Sequence, residues 1–135
     1  MSEEMMKLYV GGCFAGQEQI AKDREKGIDW ADGAVCSMQQ IFRCGGIYRF
    51  QEFIYRQIKE KKDLAGFAER LASENPDIII VSDEVGYGVV PLDKTEREYR
   101  EAVGRISAGL AAFAERVSRT VCGIEVVLKD ETVSD

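Results

Sequence analysis

The stretch IIIVSDEVGYGVVPLDKTEREYREAVGR, residues Ile78 to Arg105, decides the fold of this chain. It opens with a continuous apolar run of β-branched residues that ends at Val81. Such a run is typical of a strand that is covered on both faces in a parallel sheet. Asn75-Pro76 ends the preceding helix, because proline disfavours helix at the residue ahead of it. The stretch therefore predicts a central parallel strand that is followed by a loop and a helix.

Two acids fall at the carboxyl end of this predicted strand. Asp83 and Glu84 occupy the edge of an open α/β sheet where ligands bind. An apolar strand that ends in an acid is how many nucleotide enzymes hold Mg²⁺ or orient a nucleophile. Acids at strand ends are also common turn formers, so the pattern alone leaves both interpretations open. Asp83 and Glu84 are candidate catalytic residues, and Glu84 is a candidate Mg²⁺ ligand.

The segment after the acids predicts a shaped loop and a capped helix. Gly86 and Gly88 permit backbone conformations that residues with a Cβ avoid, and Pro91 fixes the exit of the loop. Thr95 and Glu98 have the spacing of a capping box, which satisfies backbone donors at a helix start. We therefore expect the helix to begin at Thr95.

Two arginines near this helix start are candidate phosphate ligands. Arg97 and Arg100 are expected close to the acidic loop, and a guanidinium can hold a phosphate bidentately. The alternative is that they only balance neighbouring glutamates on a solvated face. Apolar residues at spacings of four and three predict the helix itself, lying on a sheet: Tyr99, Val103, Ile106, Leu110, Phe113 and Val117.

A second glycine-rich loop follows the first predicted strand. Residues 7–10 are predicted as that strand, and GGCFAGQE, residues 11–18, leads into a helix that runs to about Lys26. This is the layout of a phosphate-binding loop, G-x-x-x-x-G-K-[ST], whose backbone N–H groups cradle phosphates. Its candidate phosphate-binding residues are Gly11, Gly12, Gly16, Gln17 and Glu18.

The last two positions of this loop depart from the phosphate-binding pattern. Gln17 stands where a lysine reaches the phosphates, and Glu18 stands where a hydroxyl ligates Mg²⁺. Losing the lysine removes a contact worth ~1.5–3 kcal/mol, and a carboxylate ~4 Å from a phosphate charge costs ~4 kcal/mol. Three interpretations stay open: a turn that binds nothing, a weakened loop relieved by pairing of Glu18 with Lys22, and a rearranged site in which Glu18 ligates a metal.

The composition bounds the class of protein. A chain of 135 residues with 45% hydrophobic residues is enough for one compact domain, so a single domain is predicted over residues 1–135. The net charge of −6 argues against nucleic acid or an anionic membrane as the main partner. Neither an export signal nor a transmembrane span is evident, and we expect a cytoplasmic protein.

The inventory of metal-binding and nucleophilic residues is short. The chain has no histidine, and its four cysteines include no C-x-x-C pair. The usual zinc spacings therefore cannot be built, and we expect free thiols in a reducing compartment. The missing histidine also removes the commonest general base and any nucleotidyl-histidine intermediate.

The rest of the chain supplies helices and strands around these loops. We predict a polar connector over residues 28–33, a short strand over residues 34–38 and a glycine hinge at residues 45–46. Two helices are predicted over residues 49–62 and 64–71. A further strand is predicted over residues 117–122, and a frayed tail over residues 130–135. Residues 124–129 are expected either to extend beside the last strand or to cross the surface. The order of elements predicts an α/β fold, a parallel sheet with helices on both faces.

The chain resembles the adenosylcobinamide kinase / adenosylcobinamide-phosphate guanylyltransferase family of cobalamin biosynthesis. The family pattern N-E-V-G-x-G-I-V-P, then R-x-F-R-D, reads here as DEVGYGVVP, residues 83–91, and REYRE, residues 97–101. Gly104 and the strand end VCG, residues 121–123, complete this match. The family's amino-terminal G-G-x-R-S-G-K-S is similar to GGCFAGQE, residues 11–18.

The resemblance implies a fold, an activity and ligands. The family fold is a P-loop NTPase-like α/β domain that assembles as an oligomer, so a homo-oligomer is expected. Members phosphorylate adenosylcobinamide and then attach GMP through a guanylylated histidine, which implies GTP or ATP with Mg²⁺ and a corrinoid partner. By position, the resemblance implies three loop glycines, one acid and two helix-start arginines as site residues: Gly11, Gly12, Gly16, Glu84, Arg97 and Arg100.

The departures from the family pattern limit this chemistry. No histidine is present for guanylyl transfer, and Phe14, Gln17 and Glu18 replace the arginine, lysine and serine of the family loop. Whether the chain is an enzyme therefore stays open among three functions. These are a cobalamin-pathway relative with impaired or lost phosphoryl transfer, an active nucleotide-dependent cobinamide kinase with a rebuilt site, and a non-enzymatic regulatory or partner subunit.

Overall fold

The computed structural model describes residues 5–85 and 93–132, which form one six-stranded sheet with helices on both of its faces. The elements, in chain order, are β1 (Lys7–Gly11), α1 (Gln17–Arg24), β2 (Trp30–Asp32), α2 (Met38–Ile41), β3 (Gly46–Tyr48), α3 (Phe50–Lys59), α4 (Phe67–Glu74), β4 (Ile79–Asp83), α5 (Lys94–Phe113), β5 (Arg116–Val121) and β6 (Ile124–Asp130).

The sheet has the order β2-β3-β4-β1-β5-β6, and its first five strands are parallel. Only the edge strand β6 runs antiparallel, against β5. Strand β1 lies between β4 and β5, so the loop that follows β1 opens beside the end of β4. The predicted α/β architecture, a mostly parallel sheet flanked by helices, is confirmed.

Two apolar cores cover the two faces of the sheet. Ile80 of β4 faces the larger core, where it is buried with Phe50, Phe53 and Phe67 of helices α3 and α4. The neighbouring positions of β4 face a smaller core under α1, which contains Tyr9, Ala21, Ile79 and Val81. Because both faces of β4 are covered, residues 79–81 of this strand are all apolar, without alternation.

The middle of the chain differs from the sequence-based expectation. The strand predicted at residues 34–38 is wrong: β2 lies at Trp30–Asp32, inside the predicted polar connector, and a turn held by Asp32 follows it. Gly46 is not a hinge but the first residue of β3, where the ring of Trp30 packs so closely that a Cβ would meet it at 2.7 Å. Strands of three residues are too short to carry a periodic pattern, which explains both errors.

The ends of the last helix and strand also differ from expectation. Helix α5 begins at Lys94 because the Asp93 carboxylate accepts a hydrogen bond from the Glu96 amide at 2.8 Å, so the cap predicted at Thr95 is wrong. The prediction that the frayed tail starts at residue 130 is wrong, since Asp130 is the last residue of β6. The predicted loop glycines and proline, at positions 86, 88 and 91, lie outside the described residues.

Helices long and apolar enough to cross a membrane do not occur among residues 5–85 and 93–132. Helix α5 reaches 20 residues, but it is amphipathic and rich in charge.

The close approach of the turn after β2 to the start of α3 generates a stability prediction. A Cβ on Gly33 would lie 2.1 Å from the Arg49 carbonyl oxygen, whereas one on Gly104 of α5 would have nothing within 4 Å. We expect Gly33→Ala to lower the free energy of unfolding by ~1–3 kcal/mol, as overpacking does. Gly104→Ala should raise it by ~0.5–1 kcal/mol, because alanine is the better helix former. Urea unfolding followed by circular dichroism measures both, and shifts of the same sign would contradict the prediction.

Candidate functional site

The loop between β1 and α1 has a fixed shape. Gly16 adopts a φ of 107°, the left-handed region that favours glycine, and directly precedes α1. The amide of Gly123, in the turn between β5 and β6, donates to the Ala15 carbonyl oxygen at 2.8 Å. The strand, glycine-rich loop and helix predicted from the sequence are therefore present, and the loop is attached to a second turn.

Gln17 occupies the lysine position of the loop but is turned inward. Its side chain is 3% exposed, and its amide Nε2 donates to Asp83 Oδ1 at 2.8 Å and to the carbonyl oxygens of Gly11 and Gly12 at 3.1 and 3.2 Å. Its Oε1 is buried and accepts no hydrogen bond within the described part of the chain. Gln17 therefore joins the loop to the end of β4.

Glu18 forms the ion pair that the sequence suggested. Its carboxylate lies 3.0 Å from Lys22 Nζ, one helical turn away, and both side chains are partly exposed. Lys22 Nζ also sits 3.9 Å from the ring centroid of Tyr48. A surface pair of this kind contributes about 0–1 kcal/mol, but it neutralises the carboxylate at the mouth of the loop.

Asp83 lies at the end of β4 directly beside the loop. It pairs with Gly11 of β1 in the parallel register, and its own amide donates to Gln51 Oε1 at 2.9 Å. Burial raises the pKa of the Asp83 carboxyl, the nearby charges of Glu18 and Glu52 raise it further, and the hydrogen bond from Gln17 opposes them. This carboxyl therefore holds a proton more readily than an exposed aspartate.

Glu84 follows Asp83 and is engaged by an arginine that the sequence analysis missed. Its amide donates to the Gly11 carbonyl oxygen at 2.7 Å, and its Oε1 accepts from Arg119 Nε at 2.7 Å. Arg119 lies on β5, one strand beyond β1. The sequence feature that could have indicated Arg119 is its charge, because it lies inside the otherwise uncharged strand predicted over residues 117–122. Glu84 therefore forms an ion pair across the end of β1.

Pockets for small ligands usually enclose about 300–1,000 Å³, and a cavity of about 460 Å³ opens over the loop between β1 and α1. Three acids line it, Glu18, Glu52 and Asp83, together with Gln51. Arg49 is the one basic residue in its described lining. The cavity therefore presents more negative than positive charge to a ligand.

Arg49 is held at the cavity by an unusual backbone conformation. Its φ of 54° lies in the left-handed region, which costs energy for a residue with a side chain. Its guanidinium lies 2.6 Å from Asp32 Oδ2, in an ion pair between the start of α3 and the end of β2. Sequence reasoning missed Arg49 as a site residue because it fell inside a predicted helix.

The described lining of this cavity does not include the two predicted arginines of α5. Arg97 lies in the first turn of the helix, where its amide donates to the Asp93 carbonyl oxygen at 3.1 Å. Arg100 follows one turn later and is partly buried. Residues 86–92, the loop they were expected to approach, lie outside the described part of the chain. Their role at a phosphate stays a prediction.

A metal centre is not formed by the described side chains. Within residues 5–85 and 93–132, no group of three or more cysteine, aspartate or glutamate side chains is arranged to hold a metal ion. Glu84 as a Mg²⁺ ligand stays a prediction, and in this structure that carboxylate already contacts Arg119.

The raised pKa of Asp83 predicts a stability that depends on pH. As the pH rises past the ordinary value of 3.8, the unfolded chain releases this proton before the folded chain does, so the free energy of unfolding falls. Asp83→Asn keeps an acceptor for Gln17 but cannot ionise. We expect it to be more stable than the native chain at pH 7 and to have no such advantage below pH 3.8.

Urea unfolding at the two pH values measures this difference. Asp23→Asn is a matched control, because Asp23 is an exposed carboxylate that likewise accepts a hydrogen bond from a glutamine amide, Gln19 Nε2, at 2.9 Å. We expect it to change stability little at either pH. A loss of stability in Asp83→Asn at pH 7 would show that the ionised carboxylate stabilises the fold.

Comparison with known proteins identifies a family whose members resemble this chain over residues 38–128. The family model described as "Cobinamide kinase / cobinamide phosphate guanyltransferase" matches residues 38–128, about two thirds of the chain. This match contains the acids of β4, helix α5 and Arg119, and it begins after the loop between β1 and α1.

Individual relatives match over a shorter segment. A "Bifunctional adenosylcobalamin biosynthesis protein CobP" from Pseudomonas aeruginosa is 44% identical over 54 residues, 40% of this chain and 31% of the relative. Proteins named "Bifunctional adenosylcobalamin biosynthesis protein CobU" from Salmonella typhimurium and Escherichia coli are each 40% identical over 52 residues, 38% of this chain and 29% of theirs. The aligned segment thus spans about a third of the relatives' length. The resemblance seen in the sequence is confirmed, and the chain belongs to the cobinamide kinase / cobinamide phosphate guanyltransferase family.

Proposed function

We propose that this chain is a cobalamin-pathway member of its family in which phosphoryl transfer at the phosphate loop is impaired or lost. One observation carries the proposal. The Gln17 side chain, in the position of the phosphate-binding lysine, is buried and donates its amide hydrogens to the loop and to Asp83. A neutral group that is already hydrogen-bonded within the protein does not supply the positive charge that a triphosphate needs.

The electrostatics of the cavity support the same conclusion. The missing lysine contact is worth ~1.5–3 kcal/mol, or roughly 10- to 150-fold in affinity. Glu18 adds a carboxylate where the phosphate loop needs a hydroxyl, and its pairing with Lys22 relieves only part of that penalty. The described residues of the loop therefore do not fit a nucleotide triphosphate with Mg²⁺, and we derive no catalytic step through it.

We propose that guanylyl transfer by the family's histidine route is lost as well. The chain of 135 residues contains no histidine, so a guanylylated histidine cannot form on it. A ligand that suits such a chain is a corrinoid, or a nucleotide held more weakly than in the micromolar range, that is bound without being turned over. The cavity beside Asp83 is large enough for part of either.

A second candidate function is an active cobinamide kinase with a rebuilt site. The observation that favours it is Arg49, which lines the cavity and is held there in a strained backbone conformation. Its guanidinium supplies a positive charge that the loop lacks, although Asp32 already shares it. In that account Glu84→Gln abolishes turnover of ATP or GTP with cobinamide.

Calorimetric titration with GTP, ATP and cobinamide, each with Mg²⁺, tests the proposal. We expect the native chain to bind neither nucleotide in the micromolar range. We expect the double variant Gln17→Lys, Glu18→Ser to bind at least about 100-fold more tightly, because it restores the lysine and removes the carboxylate.

The double variant Gln19→Lys, Asp23→Ser is the matched control. It makes the same change in net charge, but at two exposed residues of α1 that follow the loop positions Gln17 and Glu18. Nucleotide binding by this control would show that net charge alone, and not the loop, limits affinity. Micromolar binding by the native chain would reject the impaired loop and leave the rebuilt site as the better account.

A further inference from the structure

Four lysines surround a cavity that the proposed function does not use. The cavity has a volume of about 480 Å³ and lies between the end of α3 and the start of α5. Its described lining contains Lys59, Lys61, Lys62 and Lys94, and we call it the lysine cavity. Half of the eight lysines of the chain therefore line one cavity. In a chain whose net charge is −6, such a concentration of positive charge marks a candidate site for an anion.

Neighbouring acids do not cancel the positive charge of the lysine cavity. Within residues 5–85 and 93–132, none of its four lysines forms an ion pair, whereas Lys7, Lys22 and Lys129 elsewhere in the chain each form one. Glu98 is the one acid in the described lining, so the described charges of the cavity sum to +3. Because ammonium groups around one cavity repel each other, an anion placed between them lowers the electrostatic energy.

Lys61 is held at the cavity by a costly backbone conformation. Its φ of 58° lies in the left-handed region, at the position after a helix where glycine is the usual residue. The Lys61 amide donates to the Ile58 carbonyl oxygen at 3.0 Å, and the Lys62 amide donates to the Gln57 carbonyl oxygen at 2.9 Å. These two hydrogen bonds fix the end of α3. A lysine at a position that favours glycine keeps a side chain there at a cost in stability, which indicates a use for that side chain.

The two helices that form the walls of the lysine cavity are packed against each other. The rings of Tyr55 on α3 and Tyr99 on α5 meet edge to face, with their centroids 5.0 Å apart. Lys59 Nζ lies 5.5 Å from the centroid of the Tyr55 ring, a cation–π contact. The first turn of α5 adds Thr95 to the lining. The cavity is therefore formed by packed helices, and its lysines extend from fixed positions on them.

The lysine cavity is separate from the cavity over the loop between β1 and α1. The start of α3 lines the loop cavity through Gln51 and Glu52, whereas the end of α3 lines the lysine cavity through Ile58 and Lys59. At a rise of 1.5 Å per residue, these two parts of the helix are about 10 Å apart along its axis. Three acids line the first cavity and four lysines line the second. An anion therefore has a far more favourable site at the end of α3 than at its start.

We propose that the lysine cavity binds the phosphate chain of a small-molecule diphosphate or triphosphate. A lysine ammonium binds phosphate as a point charge, and the several negative charges of one short phosphate chain can meet several lysines at once. The acidic remainder of the surface disfavours nucleic acid or an anionic membrane, because either would extend well beyond the cavity. The ligand class that fits is therefore a small anion with several charges.

The affinity of such a site is limited by solvent. All four lysines are exposed, so salt screens their attraction for an anion. We expect a dissociation constant for inorganic pyrophosphate on the order of 0.1–1 mM at low ionic strength. This binding is weaker than the micromolar range that decides the state of the phosphate loop. The lysine cavity therefore does not depend on whether that loop is impaired.

Calorimetric titration with sodium pyrophosphate, at low salt and without Mg²⁺, tests the proposal. We expect the double variant Lys61→Gln, Lys62→Gln to bind at least about fivefold more weakly, because it removes two of the four lysine charges. The double variant Lys26→Gln, Arg43→Gln is the matched control. Both of its positions are exposed, neither lines the lysine cavity, and the change in net charge is the same. We expect the control to change the affinity by less than about twofold.

The variant Lys61→Gly separates loss of the side chain from loss of folding. Glycine adopts the left-handed conformation at position 61 without strain, so the midpoint of urea unfolding should rise. The same variant should bind pyrophosphate about two- to threefold more weakly, because one charge is lost. Weaker binding by a more stable chain cannot result from unfolding. An affinity that neither this variant nor Lys61→Gln, Lys62→Gln lowers overturns the proposal, as does a control that weakens binding equally.

Amide chemical shifts in NMR spectra show where the anion binds. We expect pyrophosphate to shift the amides of Lys61, Lys62 and Thr95 and to leave those of residues 11–18 unchanged. Shifts confined to residues 11–18, or no binding at millimolar pyrophosphate, overturn the proposal. Tripolyphosphate and ATP, both without Mg²⁺, distinguish the two sources of a phosphate chain. Equal affinities support a site for the phosphate chain alone, and tighter binding of ATP supports a nucleotide. Binding of ATP without any binding of tripolyphosphate overturns the proposal.

Discussion

The parallel pairing of β1 with β4 is the constraint on which the site depends. Gly11 and Asp83 end the two strands at the same level, and the Glu84 amide continues the ladder to the Gly11 carbonyl oxygen at 2.7 Å. The glycine-rich loop and the two acids therefore emerge side by side. Gln17 joins them, since its one amide group donates to both. A change at this junction moves the loop and the acids together.

Between the loop and β4, the hydrogen bonds of Gln17 stand where the family pattern has a lysine charge. A lysine at position 17 would sit beside Asp83 as an ammonium and pair with its carboxylate, whereas the glutamine amide only partly stabilises that charge. Burial then dominates, and the pKa of Asp83 rises. On the other side of β1, Arg119 supplies the full charge that Glu84 requires. The two adjacent acids thus have different partners, and among the described residues an opposite charge matches Glu84 but not Asp83.

The sequence predicted the parts of this arrangement that long apolar runs or glycine spacing determine. Strand β4, the loop and helix α5 were found this way, and the pairing of Glu18 with Lys22 followed from helix geometry. Short strands could not be predicted, because three residues such as Trp30–Asp32 carry no period. Arg49 and Arg119 were missed because their partners come from other elements, and a single sequence does not show which distant residues meet.

The strands on the two sides of β1 contribute to the site in different ways. The loop cavity lies toward the β2 side of β1, where Arg49 and Asp32 close the short edge. Strand β6 lies two strands away on the other side, and its turn contacts the loop through the Gly123 amide. The turn between β5 and β6 therefore supports the loop at Ala15 from one side, while the cavity opens on the other side.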